Sequence, residues 1–377
     1  MTETQYGGST TFKLARGESG IARMQPVTTQ TCSLDTESVN PLADPSWDRD
    51  VASHPESTFF HTAAWARVLS GTYGHKPVYL RFSNNGKLTA LLPLMEVRSL
   101  VTGCRGICLP FTDFCGPLVF GGENADFVFP ELLALARRRK WRYFEIRERK
   151  TLNPSATAAV TFLGHSLDLR GSEEDRLGRL KSSVRRALRK AERNEVKIEV
   201  TRTREAVLEY YRLHTQTRKK HGLPPQPLSF FCNIYEHVIK TGWGFIVMAR
   251  IDSRPVAGNV YFVFGKRAVY KFGASDESAQ EFRVSNLVMW EGIRYLAQNG
   301  AESLHFGRTS VANEGLRRYK LTWGTKEEQI EYIKFDSAAG EWAVSRDSVA
   351  GVHNGVFRKL PLSVNRFAGA LIYPHLD

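Results

Sequence analysis

The chain has 377 residues, of which 42% are hydrophobic and 24% are charged. This composition supports a buried core and excludes a collagen, a coiled coil and wholesale disorder. No apolar run reaches the roughly 18 residues of a membrane-spanning helix, and the first residues lack the pattern of a secretory signal. The five cysteines form no CxxC pair, so we expect a reduced, cytoplasmic protein without a disulfide framework or structural zinc.

The net charge of +13 is concentrated in one part of the chain. Lys and Arg minus Asp and Glu give −1 for residues 1–40, +3 for 41–168, +8 for 169–240 and +3 for 241–377. A local excess of this kind favours a phosphate-bearing partner, such as a nucleotide, RNA or an anionic lipid headgroup. A solvated helix face has the same composition, so charge alone leaves both interpretations open.

The first half of the chain predicts a tail and then one α/β unit. Residues 1–35 are rich in Gly, Ser, Thr and Gln without an apolar period, which is typical of a disordered tail. Two β-rich runs flank Asn84-Asn85-Gly86, and Asn-Gly between such runs is the strongest short-range hairpin signal. The other predicted elements are a helix over 58–69, a loop and strand over 104–120, a helix over 127–140 and a strand over 141–147.

The second half repeats this order of hairpin, strand, helix and strand. The predicted elements are a hairpin over 244–265, a strand over 268–273, a helix over 286–298 and a strand over 303–307. We therefore predict an α/β protein with two copies of one domain. The predicted divisions are a tail over 1–40, a first domain over 41–168, a second domain over 169–336 and a segment over 337–377 that packs back on the first domain.

A basic amphipathic helix is predicted over 176–193, between the two copies. Its apolar stripe follows steps of three and four residues, and its other faces carry Arg and Lys. The stripe consists of Leu177, Leu180, Val184, Leu188 and Ala191. A second helix over 205–220 ends before a proline-rich stretch that cannot continue it.

Two further stretches are candidates for a binding site, whereas metal, P-loop, GxGxxG and GxSxG motifs are absent from the sequence. Residues 271–285 lead from a strand into the Asn286 helix, whose free N–H groups favour an anion beside Arg283. An ordinary cap by Ser285 or Asn286 explains the same residues. Residues 305–324 follow the end of a strand, where α/β sheets usually bind ligands.

Two stretches, one in the basic helix and one in the segment after the last predicted strand, together resemble the FemAB-like proteins. Ser183-Val-Arg-Arg-Ala-Leu-Arg-Lys-Ala191 is similar to their basic helix. Phe306-Gly-Arg-Thr-Ser310, with Glu314-Gly-Leu-Arg-Arg-Tyr-Lys-Leu-Thr-Trp-Gly324, is similar to their "FGR…EGL..FK..WG" segment. The resemblance covers about residues 45–335. It implies two tandem acetyltransferase-like (GNAT) domains, each a mixed, mostly antiparallel twisted sheet flanked by helices.

The resemblance also implies a reaction. FemAB-like proteins transfer aminoacyl groups from tRNA to peptidoglycan precursors, and others are similar to acyl-CoA-dependent N-acyltransferases of exopolysaccharide or exosortase systems. The Lys of the "FK" pair corresponds to Lys320, although Tyr319 replaces the usual Phe. The CoA pyrophosphate site corresponds to Arg283, Val284, Ser285 and Asn286, although this loop lacks the usual glycines.

We therefore expect N-acyl transfer, with acetyl-CoA or another acyl-CoA as donor and no metal. Lys320 is predicted to stabilise charge on the carbonyl oxygen, and Tyr319 to protonate the leaving group. The residues expected to bind phosphate or substrate are Arg185, Arg186, Arg189 and Arg308.

The predicted acceptor is a primary amine of a cell-envelope or exopolysaccharide precursor, carried by a phosphate-bearing sugar or a lipid. Two alternatives stay open: an aminoacyl-tRNA-dependent transferase acting on a peptidoglycan-type precursor, and a non-catalytic scaffold of polysaccharide biosynthesis. An RNA-binding module is a further reading of the basic helix. Peripheral contact of a cytoplasmic protein with the inner membrane is also open.

Overall fold

The structure is a computed structural model of the chain. It describes residues 34–121, 125–149, 151–152, 156–194, 196–344 and 354–376. Within them lie strands β1 (Leu34–Val39), β2 (Lys76–Pro77), β3 (Tyr79–Asn84), β4 (Lys87–Leu92), β5 (Met95–Ser99), β6 (Gly103–Ile107), β7 (Leu118–Val119), β8 (Tyr143–Ile146), β9 (Val160–Asp168), β10 (Lys197–Thr201), β11 (Gly244–Ile251), β12 (Arg254–Phe264), β13 (Arg267–Ser275), β14 (Ser303–His305), β15 (Thr309–Ser310), β16 (Lys326–Asp336) and β17 (Glu341–Trp342).

Helices flank these strands, and together they confirm a mixed α/β fold with mostly antiparallel sheets. The α-helices are α1 (Trp47–Ala52), α2 (Ala63–Tyr73), α3 (Val128–Arg139), α4 (Glu173–Arg179), α5 (Ser182–Glu192), α6 (Arg204–Lys220), α7 (Leu228–Ile234), α8 (Val284–Gln298), α9 (Glu314–Leu321), α10 (Asn354–Lys359) and α11 (Leu362–Ile372). Short 3-10 helices cover Phe59–His61, Glu277–Phe282 and Tyr373–His375, and a π-helix covers Tyr235–Ile239.

One long strand joins the sheets of the two halves of the chain. These halves are called the first repeat (β1 to β8) and the second repeat (β9 to β15). β16 pairs with β9 along Lys326–Tyr332 and with β8 along Ile333–Asp336, antiparallel in both cases. From β9 the sheet continues in the order β14, β13, β12, β11 and β10, and from β8 in the order β6, β5 and β2. A smaller sheet has the order β1, β3, β4 and β7. The backbone ladder of β16 therefore joins the two repeats.

Side chains alternate across β11 and β12, so the sheet of the second repeat separates two cores. Ile246 and Phe262 lie in the larger core with helices α6 and α7. Val247 and Tyr261 lie in the other core, with α5 and α8. Helices α6 and α8 therefore cover opposite faces of this sheet.

The hairpins form where the sequence places them. β3 and β4 flank Asn85 and Gly86, whose φ angles of 49° and 76° suit a tight turn between right-twisted strands. β11 and β12 flank Asp252 and Ser253, which take φ angles of 47° and 65° without any glycine. Asp tolerates the left-handed region because its short side chain bonds locally.

The predicted basic helix over 176–193 is instead two helices. α4 ends at Arg179, and Leu180 is extended, with ψ of 141°. The N–H of Lys181 donates to the carbonyl of Thr322 at 2.9 Å rather than to the preceding turn. The apolar stripe is nevertheless buried from Leu180 through Val184 and Leu188.

The structure describes part of each end of the chain. The predicted tail over 1–40 lies mostly outside the described residues, but Leu34–Val39 forms β1 because it pairs antiparallel with β3. The salt bridge of Glu37 with Arg81 at 3.1 Å joins the two strands. In the C-terminal segment, α11 lies against α6, and the Arg105 guanidinium donates to the carbonyl of His375 at 2.8 Å.

Close packing at Gly106 yields a stability prediction. A Cβ built on Gly106 would lie 2.2 Å from the ring of Trp141, which is buried and donates to Glu96 at 2.8 Å. We expect Gly106→Ala to lower the free energy of unfolding by about 2 kcal/mol, because the ring must move. Gly178→Ala is the matched control, since its helical site is open and alanine favours a helix. Equal denaturation midpoints for the two variants would contradict the packing argument.

Candidate functional site

A cleft of about 430 Å³ opens between helices α5, α8 and α9. It brings together residues from the three stretches that the sequence singled out. Its walls include Ser183, Arg186, Lys190, Arg283, Asn286 and Tyr319. The three cations on this wall are exposed, so they reach the cleft without losing their hydration.

Helical spacing decides which residues of α5 reach the cleft. Ser183, Arg186 and Lys190 follow each other at three and four residues and share one face. Arg185 and Arg189 lie one position away, are exposed, and do not line the cleft. Of the three arginines predicted to bind phosphate on this helix, only Arg186 therefore lies in the cleft.

Helix α8 begins two residues before the predicted start. Val284 is the first helical residue, and Arg283 precedes it with a left-handed φ of 57°. No side chain among the described residues caps this helix, so the expected Ser285 or Asn286 cap is not formed. Arg283 and Asn286 line the cleft, Val284 is buried in the core, and Ser285 is exposed.

The sheet leaves room beside the same helices. β13 and β14 pair in parallel only through Arg267–Val269 and Ser303–His305. β13 then continues to Ser275, while the chain after β14 turns away into β15, which pairs with β9. Among the described residues, no strand pairs beyond Val269 with the edge of β13 that faces β14. Helix α9 begins a few residues after β15 in the chain.

Tyr319 presents a protonated phenol to the cleft. Burial raises its pKa to about 12, although the neighbouring Trp323 side chain opposes the shift. The group therefore keeps its proton throughout the physiological range and is able to donate it.

Lys320 lies on another side of α9 from Tyr319. Its Nζ donates to the carbonyl of Gly307 at 2.8 Å and to that of Arg308 at 3.2 Å, and the residue is 3% exposed. Burial lowers its pKa to about 8, and the nearby Asp113 carboxylate opposes this shift. The ammonium holds the loop after β14 and does not line the cleft.

A charged cluster joins the two repeats behind this loop. Asp113, from the first repeat, accepts from Lys271 Nζ at 2.9 Å and from the backbone N–H of Arg308 at 3.4 Å. Burial raises the pKa of Asp113, but Lys271 and Arg308 outweigh it and hold the pKa at about 2. Burial lowers the pKa of Lys271, opposed by Asp113. The carboxylate and the ammonium are thus an ion pair at neutral pH.

Arg308, which was predicted to bind substrate, lies in the seam between the repeats. Its guanidinium is 4.4 Å from the ring centroid of Phe162 and donates to Tyr332 Oη at 2.9 Å. Tyr332 in turn donates to the carbonyl of Asp113 at 2.7 Å. Arg308 is therefore not brought together with Tyr319 and Arg283.

A second cavity of about 460 Å³ lies between the repeats. His61, Phe114, Arg147 and Arg149 line it from the first repeat, and Arg267 and His305 from the second. His305 accepts the N–H of Gly307 on Nδ1 at 2.9 Å, which places its proton on Nε2, 3.5 Å from Glu328. The cavity is thus lined by polar side chains of both repeats.

No specific role was predicted for Asp113, for Lys271 or for the cavity residues Arg147 and Arg267. The available signal was Lys271 itself, a cation inside the apolar strand Ala268-Val-Tyr-Lys-Phe272. Among the described residues, no group of three or more His, Cys, Asp and Glu side chains is arranged to hold a metal ion.

Comparison with known families finds a match in the second half of the chain. The model of the acetyltransferase (GNAT) domain matches residues 178–321. This range contains α5, α8 and α9, and every residue that lines the cleft except Thr322. Among curated proteins, none matches this sequence.

Solved structures share the fold over most of the chain. The crystal structure of FemX has a sequence identity of 13% with this chain. The match covers 79% of this chain and 96% of the FemX chain, with a TM-score of 0.62. L-PGS from Bacillus licheniformis is 11% identical, covers 87% of this chain and 96% of its own, with a TM-score of 0.50. A tandem GNAT protein from the clavulanic acid biosynthesis pathway is 8% identical, covers 81% and 99%, with a TM-score of 0.50.

The Asp113–Lys271 pair yields a prediction on stability. Asp113→Ala leaves the Lys271 ammonium unpaired, and we expect the free energy of unfolding to fall by about 3 kcal/mol. The double variant Asp113→Leu, Lys271→Met removes both charges, so we expect it to be more stable than the single variant. Chemical denaturation at pH 7 measures both.

The same pair gives a pH dependence. Because the folded pKa of Asp113 is below its ordinary value, its contribution to stability is complete above about pH 4 and is lost as the pH falls toward 2. We expect the stability difference between wild type and the double variant to shrink over this range. A difference that stays constant from pH 5 to pH 2 would show that the pair does not stabilise the fold.

Proposed function

We propose that this chain, a FemAB-like protein of the GNAT superfamily and thus an acyltransferase, moves an acyl group from acyl-CoA to a primary amine. The acceptor we propose is an amine of a cell-envelope or exopolysaccharide precursor. The observation that carries the proposal is the cleft itself. Three exposed cations, the uncapped start of α8 and a protonated Tyr319 converge there.

The cleft suits the phosphates of the donor. Helix α8 begins at Val284, between Arg283 and Asn286, which both line the cleft, and a helix start favours anions. Arg186 and Lys190 supply charge from the opposite wall. An extended acyl chain would then follow the free edge of β13 beyond Val269 toward the seam between the repeats.

The proposed transfer of the acyl group along the edge of β13 requires few side chains of the protein. The amine nitrogen attacks the thioester carbonyl, the carbon–sulfur bond breaks, and the amine loses a proton to water. Tyr319, which is protonated at neutral pH because its pKa is about 12, gives its proton to the departing thiolate and regains one from solvent. Lys320, which is bonded to the carbonyls of Gly307 and Arg308, positions the loop that closes this region.

The acceptor is proposed to bind in the cavity between the repeats. Arg267 is exposed and lines this cavity, so it is available to a phosphate of the precursor. Arg308, held against Phe162 and Tyr332, shapes the adjoining seam. A ligand in this cavity approaches the β13 edge from the side of the first repeat.

An aminoacyl-tRNA donor is the second candidate, and one observation favours it. Arg185, Arg189 and Arg193 form an exposed stripe on α5 beside the cleft-lining face. This stripe lies outside the cleft, where a donor as small as CoA has no need of it. A polyanionic backbone would contact both faces of the helix at once.

The two donors are distinguished by neighbouring residues of one helix. For acyl-CoA, we expect Arg186→Gln to weaken binding about tenfold, because a hydrogen bond to a charged group contributes about 1.5 kcal/mol. Arg185→Gln is the matched control and should leave the affinity unchanged. Titration calorimetry with acetyl-CoA and with bulk tRNA measures both variants. Equal losses in tRNA binding would favour the tRNA donor, and binding of neither ligand would favour the scaffold.

Lys320 provides a test on the reaction. We expect Lys320→Ala to reduce acyl transfer at least tenfold, since the loop loses two hydrogen bonds. With a pKa of about 8 in the wild type, the ammonium is lost as the pH rises above 8, and activity should fall with it. Lys320→Arg stays protonated, so its activity should not show this fall. Identical pH profiles for wild type and Lys320→Arg would exclude Lys320 as the titrating group.

A further inference from the structure

The last long helix of the chain exposes its apolar face. Among the described residues, no helix is long and apolar enough to cross a membrane. In α11, Asn365 and Gly369 are buried, and a Cβ on Gly369 would lie 1.9 Å from the carbonyl of Pro225. On the opposite side Phe367 is 66% exposed and Leu371 is 57% exposed. The helix thus packs on the protein through its small and polar residues.

A second element exposes apolar residues next to the end of this helix. Leu100 and Val101 form the tip between β5 and β6 and are 105% and 79% exposed. The Arg105 guanidinium donates to Thr102 Oγ1 at 2.5 Å and to the carbonyl of His375 at 2.8 Å. One side chain therefore holds the hairpin tip beside the turn that follows α11.

The charges on the two C-terminal helices are of one sign. Arg358 and Lys359 end α10, Arg366 lies on α11, and all three residues are exposed. The sequence contains no Asp or Glu from residue 348 to residue 376. Exposed apolar side chains on helices whose only charged residues are cations match a surface with an apolar interior and an anionic boundary.

We propose that this C-terminal face docks on the surface of an anionic lipid bilayer. The face comprises Leu100, Val101, Phe367 and Leu371 with Arg358, Lys359 and Arg366. The apolar side chains would enter the boundary between headgroups and acyl chains, while the cations bind the lipid phosphates. A second copy of the chain is a poorer occupant, because a two-fold contact sets these cations against one another. The inference does not depend on the proposed reaction.

Vesicle sedimentation of the full chain tests the proposal. We expect binding to vesicles of phosphatidylglycerol and phosphatidylcholine, about tenfold weaker binding to phosphatidylcholine alone, and weakening by salt. The variant Phe367→Ser, Leu371→Ser should bind at least about tenfold more weakly, because two side chains no longer leave water. Leu100→Ser, Val101→Ser should act in the same direction.

The matched control is Val200→Ser, which alters an exposed aliphatic residue on β10 and should leave vesicle binding unchanged. Light scattering without lipid gives the oligomeric state. A dimer that Phe367→Ser, Leu371→Ser converts to a monomer would overturn the proposal in favour of a contact between copies. Equal binding to both vesicle types, or full binding by the Ser variants, would also overturn it. Far-UV circular dichroism and an unchanged thermal unfolding midpoint confirm that each variant is folded.

Discussion

The backbone ladder of β16 is the constraint on which the arrangement of both sites depends. Its hydrogen bonds join β9 along one part and β8 along the next, and they need no particular side chains. Where the strand passes from one partner to the other, Tyr332 reaches the carbonyl of Asp113 at 2.7 Å. That contact places the Asp113 carboxylate against Lys271 and beside the Gly307 loop. The geometry of the second repeat therefore includes a residue of the first.

Desolvation divides the cations near the cleft into two groups. Arg186, Lys190 and Arg283 are exposed, so a phosphate can displace their hydration water without a large cost in free energy. Lys271 and Lys320 are buried, which lowers the pKa of each, and both already bind oxygens of the protein. A buried charge with its partners in place stabilises one geometry. The first group suits ligand binding and the second suits positioning.

Local signals in the sequence predicted local structure well. The Asn-Gly turn and the apolar spacing of α5 both depend on residues close together in the chain. The break at Leu180 was missed because it depends on a bond from Lys181 to Thr322, far away in sequence. The same holds for the Asp113–Lys271 pair, whose members are 158 residues apart. Neither partner reveals the other in a single sequence.

The residues that line the cleft could be predicted only in part, because long-range contacts again decide which side chains reach it. Helical periodicity places Arg185, Arg186 and Arg189 on exposed faces, but only the contact of α5 with α8 and α9 selects Arg186. The sequence of a motif likewise does not show which way the side chains of adjacent residues point. Tyr319 and Lys320 are neighbours, and the turn of α9 between them sends one to the cleft and the other to the Gly307 loop.

The two faces of the second sheet give the proposed functions a common geometry. Helix α8 and the cleft proposed for the donor lie on one face, with Val247 and Tyr261, while α6 lies on the other, with Ile246 and Phe262. Since α11 packs on α6, a bilayer beneath the C-terminal face would lie across the sheet from the cleft. A soluble donor would then enter from the side away from the lipid. A lipid-linked acceptor would reach the β13 edge through the cavity between the repeats, so the two substrates would not compete for one entrance.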